Sequence, residues 1–284
     1  MTPATRGLLA ALGLCVALVA AAHGPLQEQI DALTGQLEQV PSAQLYLRRG
    51  ELHRLHEDWN AALSDYQRAA RLEPADDRLD FLRGRALLEA GQPAPAKRAL
   101  DRYLTRHPDH AEALILQART LRVLGRYRAA AAAYTRAIDR LPRPEPDHYI
   151  ERARIQAAAG AFKPALAGLD AGIARFGPVV TLQLYAIDLE LKQRRVDAAL
   201  ERLDRIAAQS PRKETWLARR GAMLWDAGRR REARAAYAEA LAAIEALPAP
   251  ARRSKAIAQL EAEVRGALAR SEKGGRVDLM KSRP

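Results

Sequence analysis

Ala62, Ala96, Ala130, Ala165, Ala199 and Ala233 recur at spacings of 34, 34, 35, 34 and 34 residues. Other residues keep the same beat: Gly50 with Gly84, Gly91 with Gly125, and Pro74 with Pro108 and Pro142. A period of this length with helical patterning specifies a stack of helix–turn–helix units. Arrays of that kind mostly bind partners on an extended concave surface.

Residues 43–76 show how one unit works. AQLYLRRGELHRLHED reads as a helix with apolar Leu45, Leu52 and Leu55 and a small Gly50 at its centre. NAALSDYQRAARLEP reads as a second helix, with Ala62, Tyr66 and Ala69 on one face at i, i+4 and i+7. Pro74 stops it, because proline cannot continue a helix ladder. Neither helix can bury its stripe alone, so the two pair antiparallel and the pair stacks on the next. A glycine inside a helix costs about 1 kcal/mol against alanine. Gly50, Gly84 and Gly221 therefore predict close helix–helix approach, with Gly50 against Ala62, Gly84 against Ala96 and Gly221 against Ala233. Ala118 and Ala153 fill the same place in the third and fourth units. Ile187 does so in the fifth, where looser packing is expected. Pro93, Pro95 and Pro164 fall in a turn or the first turn of a second helix, where a missing N–H does no harm.

These residues resemble the tetratricopeptide repeat family. Residues 111–144 match best, with Gly125, Tyr127, Ala130, Tyr134, Ala137 and Pro142. Six units follow: 43–76, 77–110, 111–144, 146–179, 180–213 and 214–247. The resemblance implies an all-α, right-handed superhelical solenoid of antiparallel helix pairs. Residues 23–42 are expected to cap its N-terminal end and residues 248–271 its C-terminal end. The apolar stripe Ile257, Leu260, Val264 and Leu268 belongs to the second cap. Residues 272–284 are expected to be a disordered tail. The units are not uniform. Arg194 stands where a turn glycine is expected, and Tyr103, Gly172 and Ile206 replace a small alanine late in the second helix. The stretch 141–147 carries one extra residue.

The N-terminus reads as a secretory signal peptide, residues 1–22. Arg6 precedes an apolar run that ends in Ala20-Ala21-Ala22. The run is short for a spanning helix, which needs about 20 residues. An uncleaved anchor is the alternative, and either places the repeats beyond the membrane. A periplasmic or cell-envelope location is expected. Cys15, the sole cysteine, is preceded by Leu14 and not by the small residue that bacterial lipidation requires. No disulfide framework is available.

The chain carries 46 basic and 34 acidic residues, a formal charge of +12. The densest basic stretch includes Arg219, Arg220, Arg229, Arg230 and Arg231. It reads either as a solvated face or as a patch for an anionic membrane surface or envelope polymer. Export and the lack of a recognised motif argue against nucleic acid.

No nucleophile elbow, phosphate loop or dinucleotide fingerprint is present. HEDWN at 56–60 has Asn60 where a zinc-protease helix requires its second His. No catalytic residue, metal site or cofactor is expected. The expected activity is binding of a protein or peptide. By the resemblance, the first helix of each unit lines the groove, which brings Arg85, Arg119 and Arg154 beside Phe81, Ile115 and Ile150. Arginine forks match carboxylates bidentately, so a partner with acidic residues is implied. The alternative is that these arginines pair with acids on neighbouring turns, such as Glu112, Glu151 or Asp147. The family's carboxylate clamp uses Lys and Asn at such places; this chain lacks them, so that partner is not implied.

Mass spectrometry of the protein from an envelope fraction should find His23 as the N-terminal residue. An intact Met1 or Thr2 terminus would leave only the anchor reading.

Overall fold

A computed structural model of the chain describes the backbone of residues 24–281 and the side chains of residues 24–270. The signal segment 1–22 lies outside the described residues. Among these residues every regular element is a helix. Helix α1 spans 24–39. Six helix pairs follow: α2 (Ala43–Leu55) with α3 (Trp59–Leu72), α4 (Arg78–Glu89) with α5 (Pro93–Arg106), α6 (Ala111–Val123) with α7 (Tyr127–Arg140), α8 (Pro146–Ala158) with α9 (Phe162–Phe176), α10 (Val180–Lys192) with α11 (Val196–Gln209), and α12 (Glu214–Asp226) with α13 (Arg230–Glu245). The short α14 (Ala249–Arg252) and the long α15 (Lys255–Lys281) end the chain. The chain forms two compact units, which part between Pro144 and Glu145. That junction falls in the stretch with the extra residue.

The N-terminal unit is a solenoid of three helix pairs, covered by α1 at its start. Ile30, Leu33 and Leu37 of α1 are buried. Arg49 of α2 donates two hydrogen bonds of 2.7 Å to Asp65 of α3 and one of 2.9 Å to the Thr34 hydroxyl of α1. The ion pair is almost wholly buried, and its several hydrogen bonds offset the desolvation that such a pair incurs. The C-terminal unit stacks its three pairs in the same way. Ile257, Val264 and Ala267 of α15 are buried, and Val264 and Ala267 join the core formed by α10 to α13. The C-terminal cap is thus two helices where one was expected, separated at Arg253-Ser254. Helical backbone also continues through Lys281, into the stretch expected as a tail. Once a helix is nucleated, each added residue gains one hydrogen bond, and the run SEKGGRVDLMK contains no proline to stop it.

The small central residues do serve close approach, but their partner is not the recurring alanine alone. A Cβ placed on Gly50 would stand 2.7 Å from the Tyr66 ring and 3.3 Å from the Ala62 carbonyl oxygen. On Gly84 it would meet Leu100 at 2.7 Å, and on Gly221 the Tyr237 ring at 2.6 Å. The large residue four positions after the alanine lies over the glycine. Ile187, expected to loosen its unit, is fully buried in the C-terminal core.

A second recurrence was only half visible in the sequence. Backbone φ is positive at Glu57, Gly91, Gly125, Gly160, Arg194 and Gly228, one position in every unit. There the first helix closes with a reversed pair of hydrogen bonds: Gly91 N–H donates to Leu88 O and Gln92 N–H to Leu87 O, and Arg194 and Arg195 repeat the pattern on Leu191 and Glu190. This left-handed turn suits glycine, which has no Cβ to clash. Glu57 and Arg194 adopt it at φ near 60°, which costs a non-glycine residue about 1–2 kcal/mol.

Two stability experiments check this register. Arg194→Gly should raise the unfolding free energy from urea titration by about 0.5–1 kcal/mol, because relief of the left-handed strain exceeds the extra chain entropy of glycine. Ala130→Leu should cost about 1–3 kcal/mol through overpacking of a fully buried contact, while exposed Ala132→Leu should be near neutral. Equal midpoints for the two leucine variants would refute the packing assigned to α7.

Candidate functional site in the N-terminal unit

The first helices α2 and α4, together with α1, enclose a groove of about 720 Å³. Its apolar wall includes Leu33, Leu47, Leu52, Phe81 and Leu82. Periodicity explains the wall: Leu47 and Phe81 stand one repeat apart, each four residues before a charged position. Tyr103 and His110 close one side. Phe81 lies 5.2 Å from both rings, and Tyr103 lies 4.6 Å from His107. The Asp77 carboxylate holds His107 at 2.5 Å. His110 also caps α6, accepting the Ala113 N–H at Nδ1.

Glu51 is the electrostatic centre of this face. It accepts hydrogen bonds from the Tyr66 hydroxyl, from Arg85 at 2.5 Å and from Arg54 at 3.3 Å. Burial alone would raise its carboxyl pKa, but Tyr66, Arg85 and Arg54 together bring it below the ordinary glutamate value. Burial, and then the Glu51 bond, push the Tyr66 phenol well above its usual range. Arg54 continues to Glu89 at 3.0 Å, and Arg85 reaches Glu112 at 3.6 Å.

The expected ladder is therefore redistributed. Arg85 is committed to Glu51 and Glu112, the internal pairing that the sequence left open for it, and it also lies over the Phe81 ring at 5.4 Å. Arg119 is exposed on α6. Phe81 remains half-buried, but Ile115 and Ile150 are buried and serve the core more than a groove. Ile150 and Arg154 belong to the other compact unit, where Arg154 is exposed and lies over the Tyr185 ring at 5.6 Å. The sequence did not single out Arg48, exposed on α2 at the groove. Its position, three residues before Glu51 on the same helix, was the available signal. Arg78, also on the lining, is occupied by Asp76 at 2.7 Å.

The basic stretch is not a bare cationic patch. Arg219 pairs with Asp188 at 3.4 Å and Arg220 with Asp204 at 2.5 Å, while Arg229 pairs with Asp197 and with Glu232 at 2.6 Å. Arg230 stacks on Trp225, 3.7 Å from the ring centroid. Arg231 is exposed. The acids that answer Arg219 and Arg229 lie about one repeat earlier, so a local count of charge along the sequence misses them. Among the described residues no group of three His, Cys, Asp or Glu side chains could hold a metal ion, and no helix is long and apolar enough to cross a membrane.

Comparison with known proteins places this geometry. Residues 81–143 and 115–179 match the tetratricopeptide repeat family model. No curated protein sequence matches the chain. Among solved structures, the C-terminal part of a TPR repeat-containing protein from Cytophaga hutchinsonii is similar at a TM-score of 0.61 and 15% identity, covering 83% of this chain and 94% of that one. A tetratricopeptide repeat protein from Parabacteroides merdae is similar at a TM-score of 0.54 and 15% identity, covering 86% and 94%. YrrB, described as a TPR protein with an unusual peptide-binding site, is similar at 0.52 and 18% identity, covering 62% and 90%. These likenesses are of fold. With the repeat matches over residues 81–179 and the recurring helix pairs, they show an all-α solenoid of the tetratricopeptide repeat type.

Proposed function

We propose that the protein is a non-catalytic scaffold of the bacterial cell envelope, and that its N-terminal unit binds a segment of a partner protein in the groove between α1, α2 and α4. The observation that carries this reading is the groove itself. It combines an apolar wall, a half-buried aromatic at Phe81 and an exposed cation at Arg48 within about 720 Å³. Such a mix of apolar lining and few polar groups is typical of a recognition cleft. The envelope location rests on the N-terminal apolar run and its Ala20-Ala21-Ala22 end.

The chemistry of the partner follows from the charges. Glu51 is neutralised by Arg85 and Arg54, so it presents little net charge to a ligand. Among the described residues no acid stands against Arg48. The fitting segment carries an apolar side chain for the Phe81 wall and a carboxylate for Arg48. Recognition of the carboxylate passes from Arg85, where the sequence suggested it, to Arg48. The paired state of Arg219, Arg220 and Arg229 weighs against an anionic polymer or lipid surface as the ligand.

Peptide selection on the folded protein tests this. Recovered peptides should carry acidic residues next to apolar ones. Arg48→Glu and Phe81→Ala should each weaken the best of them by about tenfold, the loss of one charge-assisted bond or one apolar anchor. Arg230→Ala should leave affinity unchanged. Peptides indifferent to both groove variants, yet lost when residues 229–231 are neutralised, would replace the groove with the basic stretch.

A further inference from the structure

The C-terminal unit holds a second concavity, at the loop ends of its helix pairs and away from any position the repeat pattern marks for ligand. It encloses about 540 Å³. Its apolar walls are Pro178 from the α9–α10 connection, Val180 at the start of α10, Ile206 from α11, and Pro211 and Trp216 from the α11–α12 connection and α12. The local sequence builds these walls. Gly177 ends α9 at φ 81°, and Val179 N–H donates to the Gly177 carbonyl at 2.7 Å. That tight turn sets Pro178 and Val180 on one side. Ser210 bonds to the backbone of Arg212 at 2.6 and 3.3 Å, which shapes the opposite turn before Trp216.

Three lining residues are polar, Gln183, Gln209 and Ser210, and one of them is deeply buried. Gln183 of α10 is 95% withdrawn from solvent, with only 5% of its surface exposed. Its side-chain carbonyl oxygen is buried and accepts no hydrogen bond. Leaving a buried acceptor unmade is costly, and such groups are rare in folded proteins. Among the described residues no donor meets this acceptor. Val180, at the rim, is itself 41% exposed although apolar.

We infer that this pocket is a binding site for an aromatic side chain that carries its own hydrogen-bond donor, the indole N–H of a partner's tryptophan, directed at the Gln183 carbonyl. Three features select this occupant. The two prolines, Val180, Ile206 and Trp216 call for a large apolar body. The acceptor at Gln183 calls for a donor on that body, and a tryptophan ring buries well only when its N–H is partnered. The volume suits one bulky side chain with its adjoining backbone. An ionised carboxylate offers no donor to that oxygen, and a purely aliphatic side chain would leave it unmet. The site is independent of the groove in the N-terminal unit.

The probe is N-acetyl-tryptophanamide, titrated into the full mature chain labelled with nitrogen-15. The side-chain amide signals of Gln183 and the indole signal of Trp216 should shift together and saturate. The 1-methylindole analogue, which lacks the donor, should bind about tenfold more weakly. Gln183→Leu should abolish that discrimination while leaving the protein at least as heat-stable as before, since it removes an unmet buried acceptor. Val180→Asp, at the first turn of α10 where a carboxylate suits the helix N-terminus, should keep the fold and block the probe. Equal binding of the two analogues by the unaltered protein would overturn the proposal. So would shifts confined to other residues, or full binding by Val180→Asp.

Discussion

Everything in this fold depends on how closely the two helices of a repeat can approach. A small residue at the centre of the first helix lets a large residue of the second lie across it. Tyr66 over Gly50, Leu100 over Gly84 and Tyr237 over Gly221 leave no room for even one added carbon. Burial of those rings and side chains supplies the apolar contact that neither helix could make alone. The same economy appears at Gly168, where the Arg152 guanidinium occupies the space a Cβ would need, 2.6 Å away. Close pairing fixes the direction of each first helix, and so fixes which residues reach the groove.

Charge is the second organising element, and much of it is spent within the molecule. Arg49 and Asp65 tie α1, α2 and α3 together in a buried pair. Arg202 bridges Asp170 at 2.6 Å and Glu190 at 3.6 Å across successive repeats of the C-terminal unit. Arginine suits these places because its planar fork satisfies two acceptors at once. An arginine-rich sequence thus leaves fewer unpaired cations on the surface than its count of basic residues suggests. Single exposed pairs, such as Arg219 with Asp188 and Arg220 with Asp204, contribute little stability, but they decide which cations remain for a partner. That selection leaves Arg48 at the groove and withdraws Arg85.

The repeat architecture was legible because it is written several times. Six registers of alanine, with prolines and turn glycines in phase, admit one helical arrangement. The left-handed turn at Glu57 and Arg194 was harder to see, since neither residue type signals positive φ; Arg194 showed only as a missing glycine. Spacing identifies the face that Gly50, Gly84 and Gly221 share with the recurring alanines, but not that Tyr66, Leu100 and Tyr237 are the side chains lying across the gap. The ligand ladder was legible only in part. Phe81 and Arg85 are neighbours as spacing required, yet Arg85 is drawn to Glu51, 34 residues away. Ile115 and Ile150 turned to the core.

By itself the sequence determined the period, the helix pairs and the residues that permit close approach. These are local or repeated properties, set by sterics and by apolar spacing along the chain. Tertiary structure alone decided which charges meet, which apolar residues face a groove and which buried acceptor goes unmet. Those outcomes depend on side chains brought together from separate repeats, where a difference of one turn decides between an internal ion pair and a group left for a ligand.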